Sequence, residues 1–195
     1  MRLSLVLLAA GSSRRFHGNK LLYQFSGKPM YRHIIDQLAK LPDSLFERRI
    51  IVTQYQEIAD DLEKEGYEVI FNYDTELGIS HSIHLALECL KDFDGGVCFA
   101  VCDQPYLKMD TIRDLIGAWQ ESQKGIGCLA HQGEFGNPAV FSMKYREELM
   151  ELSGDVGGRR VIRKHLNDLF LYEVEDGKEL VDIDIKLGGM EDEKN

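Results

Sequence analysis

The N-terminal apolar run, Leu3 to Ala10, is too short for a bilayer span, which takes about 20 residues, and no cleavage region follows it before a charged loop. Basic residues are in deficit. Lys and Arg number 23 against 33 Asp and Glu, a formal net charge of -10, and such a surface repels duplex nucleic acid and anionic membranes. No nucleic acid and no membrane partner is therefore expected. The four cysteines form no CxxC and no metal-ligand spacing, and three of them sit in apolar runs. Buried free thiols in a reducing cytosol account for them better than disulfides, so the expected location is cytoplasmic. No linker, internal repeat or low-complexity tract interrupts the chain. Its 195 residues read as one domain over 1–187, with 188–195 as a solvated tail.

What is present is an alternation. Aliphatic runs at Leu3–Ala10, Arg49–Thr53, Glu68–Asn72, Val97–Asp103, Ile126–Ala130, Ala139–Ser142, Leu169–Val174 and Leu180–Asp184 have the length and character of strands. Between them, apolar residues recur at helical spacing in Met30–Leu41, Gln56–Glu65, Ser80–Leu90, Met109–Gln123, Met143–Leu152 and Gly158–Asn167. Strands alternating with helices predict an α/β fold: a Rossmann-like three-layer sandwich around a mostly parallel sheet. HQGEFGNP, before Ala139, is too short for a crossover helix, so that strand pair is expected to be antiparallel or irregular. Ligands of such sheets bind outside the carboxyl ends of the strands. Three chemically loaded segments fall there: GSSRRFHGNK, LGISHSIHL and DQPYL.

The first segment, LAAGSSRRFHGNK from Leu8 to Lys20, carries small residues, then hydroxyls, then cations. Inward N–H groups in such a loop make an anion-binding concavity, and Arg15 and Lys20 add full charges for phosphate oxygens. It is not a Walker loop, because Phe16 stands where the second glycine belongs, and it is not GxGxxG. Asp103 ends an apolar strand, where a carboxylate needs water or a cation, although capping the helix after Pro105 is the alternative. Ser80 and Ser82 lie at a helix start after Gly78 and are candidates for nucleotide contact. Asp155, in GDVGGRR, fits a helix cap or a substrate contact equally well. His81 and His84 lack a third ligand, and Cys102 reads as a buried thiol rather than a nucleophile.

LAAGSSRRFHGNKLL resembles the LAAGxSxRMGxxKLL signature of the MobA-like NTP transferases, and within them the molybdenum cofactor cytidylyltransferase branch. LGISHSI, CDQPYL, GNPAVFS and GDVGGRRVI resemble the family's later motifs in order. Phe16 and His17 depart from the signature's Met and Gly. The resemblance implies a fold of the nucleotide-diphospho-sugar transferase type. It also implies a Mg2+-dependent transfer of a nucleoside monophosphate from an NTP to a phosphorylated acceptor, with pyrophosphate released. LAAG points to CTP rather than GTP, with Ala10 filling room a purine needs. The implied acceptor is molybdopterin, and a molybdoenzyme receiving the product is a further implied partner.

On this resemblance Arg15, Lys20 and Asp103 are catalytic, and Leu8, Ala9, Ala10, Gly11, Ser12, Ser80 and Ser82 bind the nucleotide. Asn137, Pro138, Asp155 and Gly157 face the second substrate, and Asp103 with Asp184 holds the metal. Asp184 stands in VDIDIK where the family has Asp-Ile-Asp-Thr-Pro; Asp182 shares its strand face by period two and is the alternative ligand. Two other functions fit the same residues. One is a sugar- or polyol-phosphate nucleotidyltransferase of the same fold. The other is a non-catalytic nucleotide- or cofactor-binding chaperone, favoured by His17 and the altered VDIDIK.

Overall fold

The computed structural model describes residues 1–11 and 19–183. Strand β1 (Leu3–Ala9) leads through a small hairpin, β2 (Gln24–Phe25) and β3 (Lys28–Pro29), into helix α1 (Met30–Leu38). Then follow β4 (Arg48–Thr53), α2 (Gln56–Glu63), β5 (Glu68–Phe71), α3 (Ile79–Cys89), β6 (Gly96–Val101) and α4 (Met109–Ser122). The last part contains β7 (Ile126–His131), β8 (Glu134–Ser142), α5 (Arg146–Met150), α6 (Arg159–Lys164) and β9 (Leu169–Glu173). The main sheet has seven strands in the order β5-β4-β1-β6-β8-β7-β9. All run in one direction except β8, which is antiparallel to both β6 and β7.

Alternation along β1 shows how the layers are built. Leu3, Leu5, Leu7 and Ala9 face a core shared with α1, α2 and α4, while Val6 and Leu8 face the opposite core, shared with α3, α5 and α6. A strand buried on both faces must be apolar at nearly every position, which is why LSLVLLA reads as a continuous run. Trp119, 1% exposed, lies across the sheet because Gly96 and Gly127 leave room for its indole; a Cβ on either would stand within 2.7 Å of the ring. The result is the three-layer α/β sandwich with a mostly parallel mixed sheet.

Several expected elements differ. Leu180–Asp184 is not a strand over its described residues: a 3-10 turn covers Gly177–Leu180 and residues 181–183 have no regular structure. The strand expected at Ala139–Ser142 begins at Glu134, and its partner is antiparallel as expected. Helices expected at Met143–Leu152 and Gly158–Asn167 are shorter, each with a 3-10 turn beside it. The β2–β3 hairpin was not expected; its turn, Ser26-Gly27, has positive φ at both residues, which suits the twist of a two-residue hairpin.

Candidate active site

From β1 the chain goes to β4 and then β5 on one side, and returns to place β6 on the other side of β1. The segments leaving the carboxyl ends of β1 and β6 therefore diverge, and the crevice between them is where this architecture binds ligands. Leu8 of β1 lies opposite Val101 of β6, so the residues just beyond, Ala10–Gly11 and Asp103, flank that crevice.

The entry to the loop after β1 is fastened to β4. Thr53 Oγ1 donates to the Ala9 carbonyl at 3.2 Å, Gln54 Nε2 donates to the carbonyls of Ala10 at 3.1 Å and Gly11 at 3.2 Å, and the Tyr55 hydroxyl donates to Gly11 at 3.2 Å. With these carbonyls held, the backbone path into the loop is fixed. Among the described residues, nothing lies within 4 Å of where a Cβ on Gly11 would stand. At the exit, Asn19 Oδ1 accepts from the N–H groups of Leu21 and Leu22, an Asx turn that sets where Lys20 leaves the loop. Ser12 and Arg15 lie outside the described residues, as do His17 and Asp184.

Lys20 Nζ meets Asp103 Oδ2 at 2.6 Å, with side chains 13% and 21% exposed. The loop and the β6 end, 83 residues apart, converge on this pair. The other carboxylate oxygen, Oδ1, is buried with no hydrogen-bond partner among the described residues. Burying such an atom unsatisfied is costly. Asp103 does not cap the following helix: α4 starts at Met109, and Glu179 reaches its first turn instead, accepting from Lys108 N at 3.2 Å and from Thr111 Oγ1 at 2.6 Å. Cys102 is fully buried, and burial pushes its thiol pKa well above the ordinary range, so it is no nucleophile at neutral pH.

The segment carrying Glu179 runs back past the same loop. Leu180 accepts from Gln104 Nε2 at 3.1 Å, and Ile183 N donates to the Asp103 carbonyl at 3.1 Å. Asp182 is thereby placed on the wall of a cavity that also includes Asp103.

That cavity, about 390 Å³, opens because β8 parts from β6. Pro138 has no N–H to donate, and the β6–β8 ladder ends at the pair Phe99 and Ala139. Beyond it, Gly136 and Asn137 form one wall. The cavity lining also includes apolar Ile83, Phe99, Val101 and Phe141 and the turn containing Asp155, Gly157, Gly158 and Arg159. Pro138 itself is buried and is not among the residues that line the cavity.

The turn is locked to the start of α3. Gly78, at φ 79° and ψ -175°, lies so close to Gly154 that a Cβ would stand 2.3 Å from its carbonyl carbon, and Ser80 N donates to the Gly154 carbonyl at 3.2 Å. Ser80 and Ser82 are 2% and 4% exposed. Ser80 Oγ donates to the Leu77 carbonyl, and Ser82 Oγ accepts from Asn72 Nδ2 at 2.9 Å. Both hydroxyls thus brace the helix start, and neither residue lines the cavity.

Across this arrangement, the family model of the MobA-like NTP transferase domain matches residues 5–169. The chain belongs to that family. Its class of activity is that of a nucleotidyltransferase. A curated relative from Pyrococcus horikoshii, named a probable molybdenum cofactor guanylyltransferase, is 33% identical over 154 residues, 77% of this chain and 75% of its own length. One of the same name from Thermococcus gammatolerans is 30% identical over 165 residues, covering 81% and 80% of the two chains. Among solved structures, Rv0371c from Mycobacterium tuberculosis H37Rv superimposes with a TM-score of 0.78 at 23% identity, over 95% of this chain and 94% of that one. A manganese complex of the same mycobacterial protein superimposes with a TM-score of 0.71 at 21% identity, covering 89% of each chain.

The structure also brings residues to the site that sequence reasoning missed. Arg159 is in the GDVGGRR motif that the resemblance singled out, yet only its Asp and Gly were put forward as site residues. Gln54, Tyr55 and Glu179 carried no local signal, because their roles depend on long-range backbone contacts.

Proposed function

We propose that this member of the family transfers a nucleoside monophosphate from CTP to the terminal phosphate of molybdopterin, with Mg2+ and with release of pyrophosphate, in the cytoplasm. The observation that carries the proposal is the Lys20–Asp103 pair, set at the crevice between β1 and β6 and at the edge of a cavity able to take a second substrate. A phosphate acceptor is already ionised at neutral pH, so the reaction needs alignment and charge neutralisation more than a general base. Lys20 serves that need. In the free protein its ammonium is neutralised by Asp103, and with a triphosphate present it turns to the phosphate oxygens.

Asp103 fits a divalent cation because its Oδ1 is a buried carboxylate oxygen that no described residue satisfies. Its companion on the cavity wall, Asp182, makes a hard, all-oxygen donor set of the kind Mg2+ and Mn2+ take. We assign the second carboxylate to Asp182; Asp184, the other candidate, lies outside the described residues. When bound, the cation supplies positive charge to the triphosphate at the point where bond breaking builds up negative charge. Asn137, Asp155 and Gly157 meet the acceptor in the cavity, and the Ala10–Gly11 backbone, together with Ser12 and Arg15 of the loop, meets the nucleotide.

The preference for CTP rests on Ala10, whose methyl is buried at the base of the loop while its carbonyl is held by Gln54. GTP is the second reading, favoured by the names of the two archaeal relatives. Pyrophosphate release with each of the four NTPs and molybdopterin separates them. CTP alone supporting turnover bears out the proposal, GTP alone supports the second reading, and no release with any NTP refutes both.

A further inference from the structure

The segment 176–183 is a strap laid across the residues that follow β6, and one buried carboxylate fastens it. Glu179, 5% exposed, is drawn into the first turn of α4: Oε2 accepts from Lys108 N at 3.2 Å and Thr111 Oγ1 at 2.6 Å, and Oε1 accepts from Lys108 Nζ at 2.9 Å. Free N–H groups at a helix start favour a carboxylate, and here the carboxylate comes from 68 to 71 residues away. On one side of Glu179, the Asp176 side chain caps the 3-10 turn through Lys178 N. On the other, Leu180 is held by Gln104 and packs its side chain against Gly136, where a Cβ would stand 2.7 Å from Leu180 Cδ1. Ile183 N then reaches the Asp103 carbonyl. The contacts of Glu179, Leu180 and Ile183 tie the strap to the Asp103–Thr111 stretch and the cavity wall, and Asp182 lies between Leu180 and Ile183.

We infer that Glu179 is a positioning residue: by clasping the strap to α4 it sets Asp182 against Asp103 as the pair that holds the divalent cation. The inference rests on the reading of Asp103 and Asp182 given above. Glu179 does not line the cavity and touches no reacting group. It acts through the strap, as outer residues that orient metal ligands do, and their loss costs about 10- to 100-fold in metal affinity or activity.

The test is Mn2+ titration of the full-length protein, followed by electron paramagnetic resonance, beside steady-state kinetics and thermal unfolding. Glu179→Ala should weaken Mn2+ binding at least about tenfold and lower kcat, with KM for the NTP nearly unchanged and kcat partly restored by raised Mn2+. Glu179→Gln keeps an oxygen for Thr111 and Lys108 N and should recover most of the affinity. Thr111→Val, which removes one bond to Oε2 without altering shape, should shift affinity in the same direction by less, and it decides the matter if Glu179→Ala does not fold. Folded variants that bind Mn2+ as the wild type does, whatever their melting temperature, overturn the inference. If the wild type itself neither binds Mn2+ nor releases pyrophosphate, the reading of the site fails first; if it does both and the variants match it, only the role of Glu179 fails.

Discussion

Gly78→Ala should be among the most damaging small substitutions in the chain, and its cost can be worked from two separate causes. The backbone at Gly78, φ 79° and ψ -175°, is in a region that essentially only glycine occupies, at a cost of about 1–3 kcal/mol for another residue. The added Cβ would also stand 2.3 Å from Gly154 C and 2.7 Å from Asp155 N, backbone atoms that cannot swing aside, and overpacking of this kind costs about 1–3 kcal/mol. The expected loss is therefore roughly 4 kcal/mol. Gly154→Ala is the control. Gly154 has φ 66°, and no atom of the described residues lies within 4 Å of where its Cβ would stand, so only the conformational cost of about 1–2 kcal/mol applies. Urea unfolding of the wild type and both variants at one pH measures the difference. Because Gly78 holds the turn that carries Asp155 and Gly157 onto the cavity wall, the folded Gly78→Ala protein should also show a raised KM for the acceptor. Equal stabilities for the two variants would refute the argument that the α3 start and the turn are locked backbone to backbone.

Other consequences can be checked in the same way. Lys20→Met should lower kcat by about 10²- to 10³-fold, as loss of a single charge-stabilising donor does, with far-ultraviolet circular dichroism unchanged; wild-type turnover would remove Lys20 from the chemistry. Gln54→Ala frees the Ala10 carbonyl and leaves the Gly11 carbonyl to the Tyr55 hydroxyl, and it should raise KM for the NTP more than it lowers kcat; the reverse pattern would argue against a role in shaping the loop entry. Asp168 is held down to a pKa of about 2: partial burial opposes ionisation, but the Lys144 ammonium, the Tyr145 hydroxyl and the Gly125 N–H outweigh it. A depressed carboxylate contributes stability that is present above its unfolded pKa near 4 and lost as the pH falls through about 2. With its side chain 31% exposed, that contribution is about 1–2 kcal/mol, so Asp168→Asn should flatten the acid limb of unfolding between about pH 4 and 2; an unchanged limb would contradict the assignment.

The parts of the fold that were legible in the sequence are those with a local cause. β1, β6 and the second half of β4 are covered on both faces and so are apolar at nearly every position, and α1 and α3 carry their stripes on one side. The sequence places Lys20 and Asp103 in segments at the carboxyl ends of strands; that their strands are neighbours is visible only in the structure. LVDID misled because its period-two alternation fits a strand, whereas in the structure Leu180 packs on Gly136 and Glu179 is drawn to α4, so no ladder forms. FGNP falls in the short connection that the sequence shows before Ala139, yet in the structure the strand continues on its β7 side through Glu134 and Phe135. Ser80 and Ser82 are marked for nucleotide contact by their place at a helix start, and what the sequence does not show is that Ser80 Oγ donates to Leu77 and Ser82 Oγ accepts from Asn72.

The central claim, that Lys20 and Asp103 mark a metal-dependent nucleotidyltransfer site, is tested most directly by one comparison. Purified wild type and Asp103→Asn are incubated with Mg2+, CTP and molybdopterin, and pyrophosphate is measured. The wild type should release pyrophosphate, release should stop on chelation of the metal, and it should be reduced at least about 10³-fold in Asp103→Asn, with the variant still folded. Equal release by the two proteins, or wild-type release that persists without a divalent metal, would contradict it.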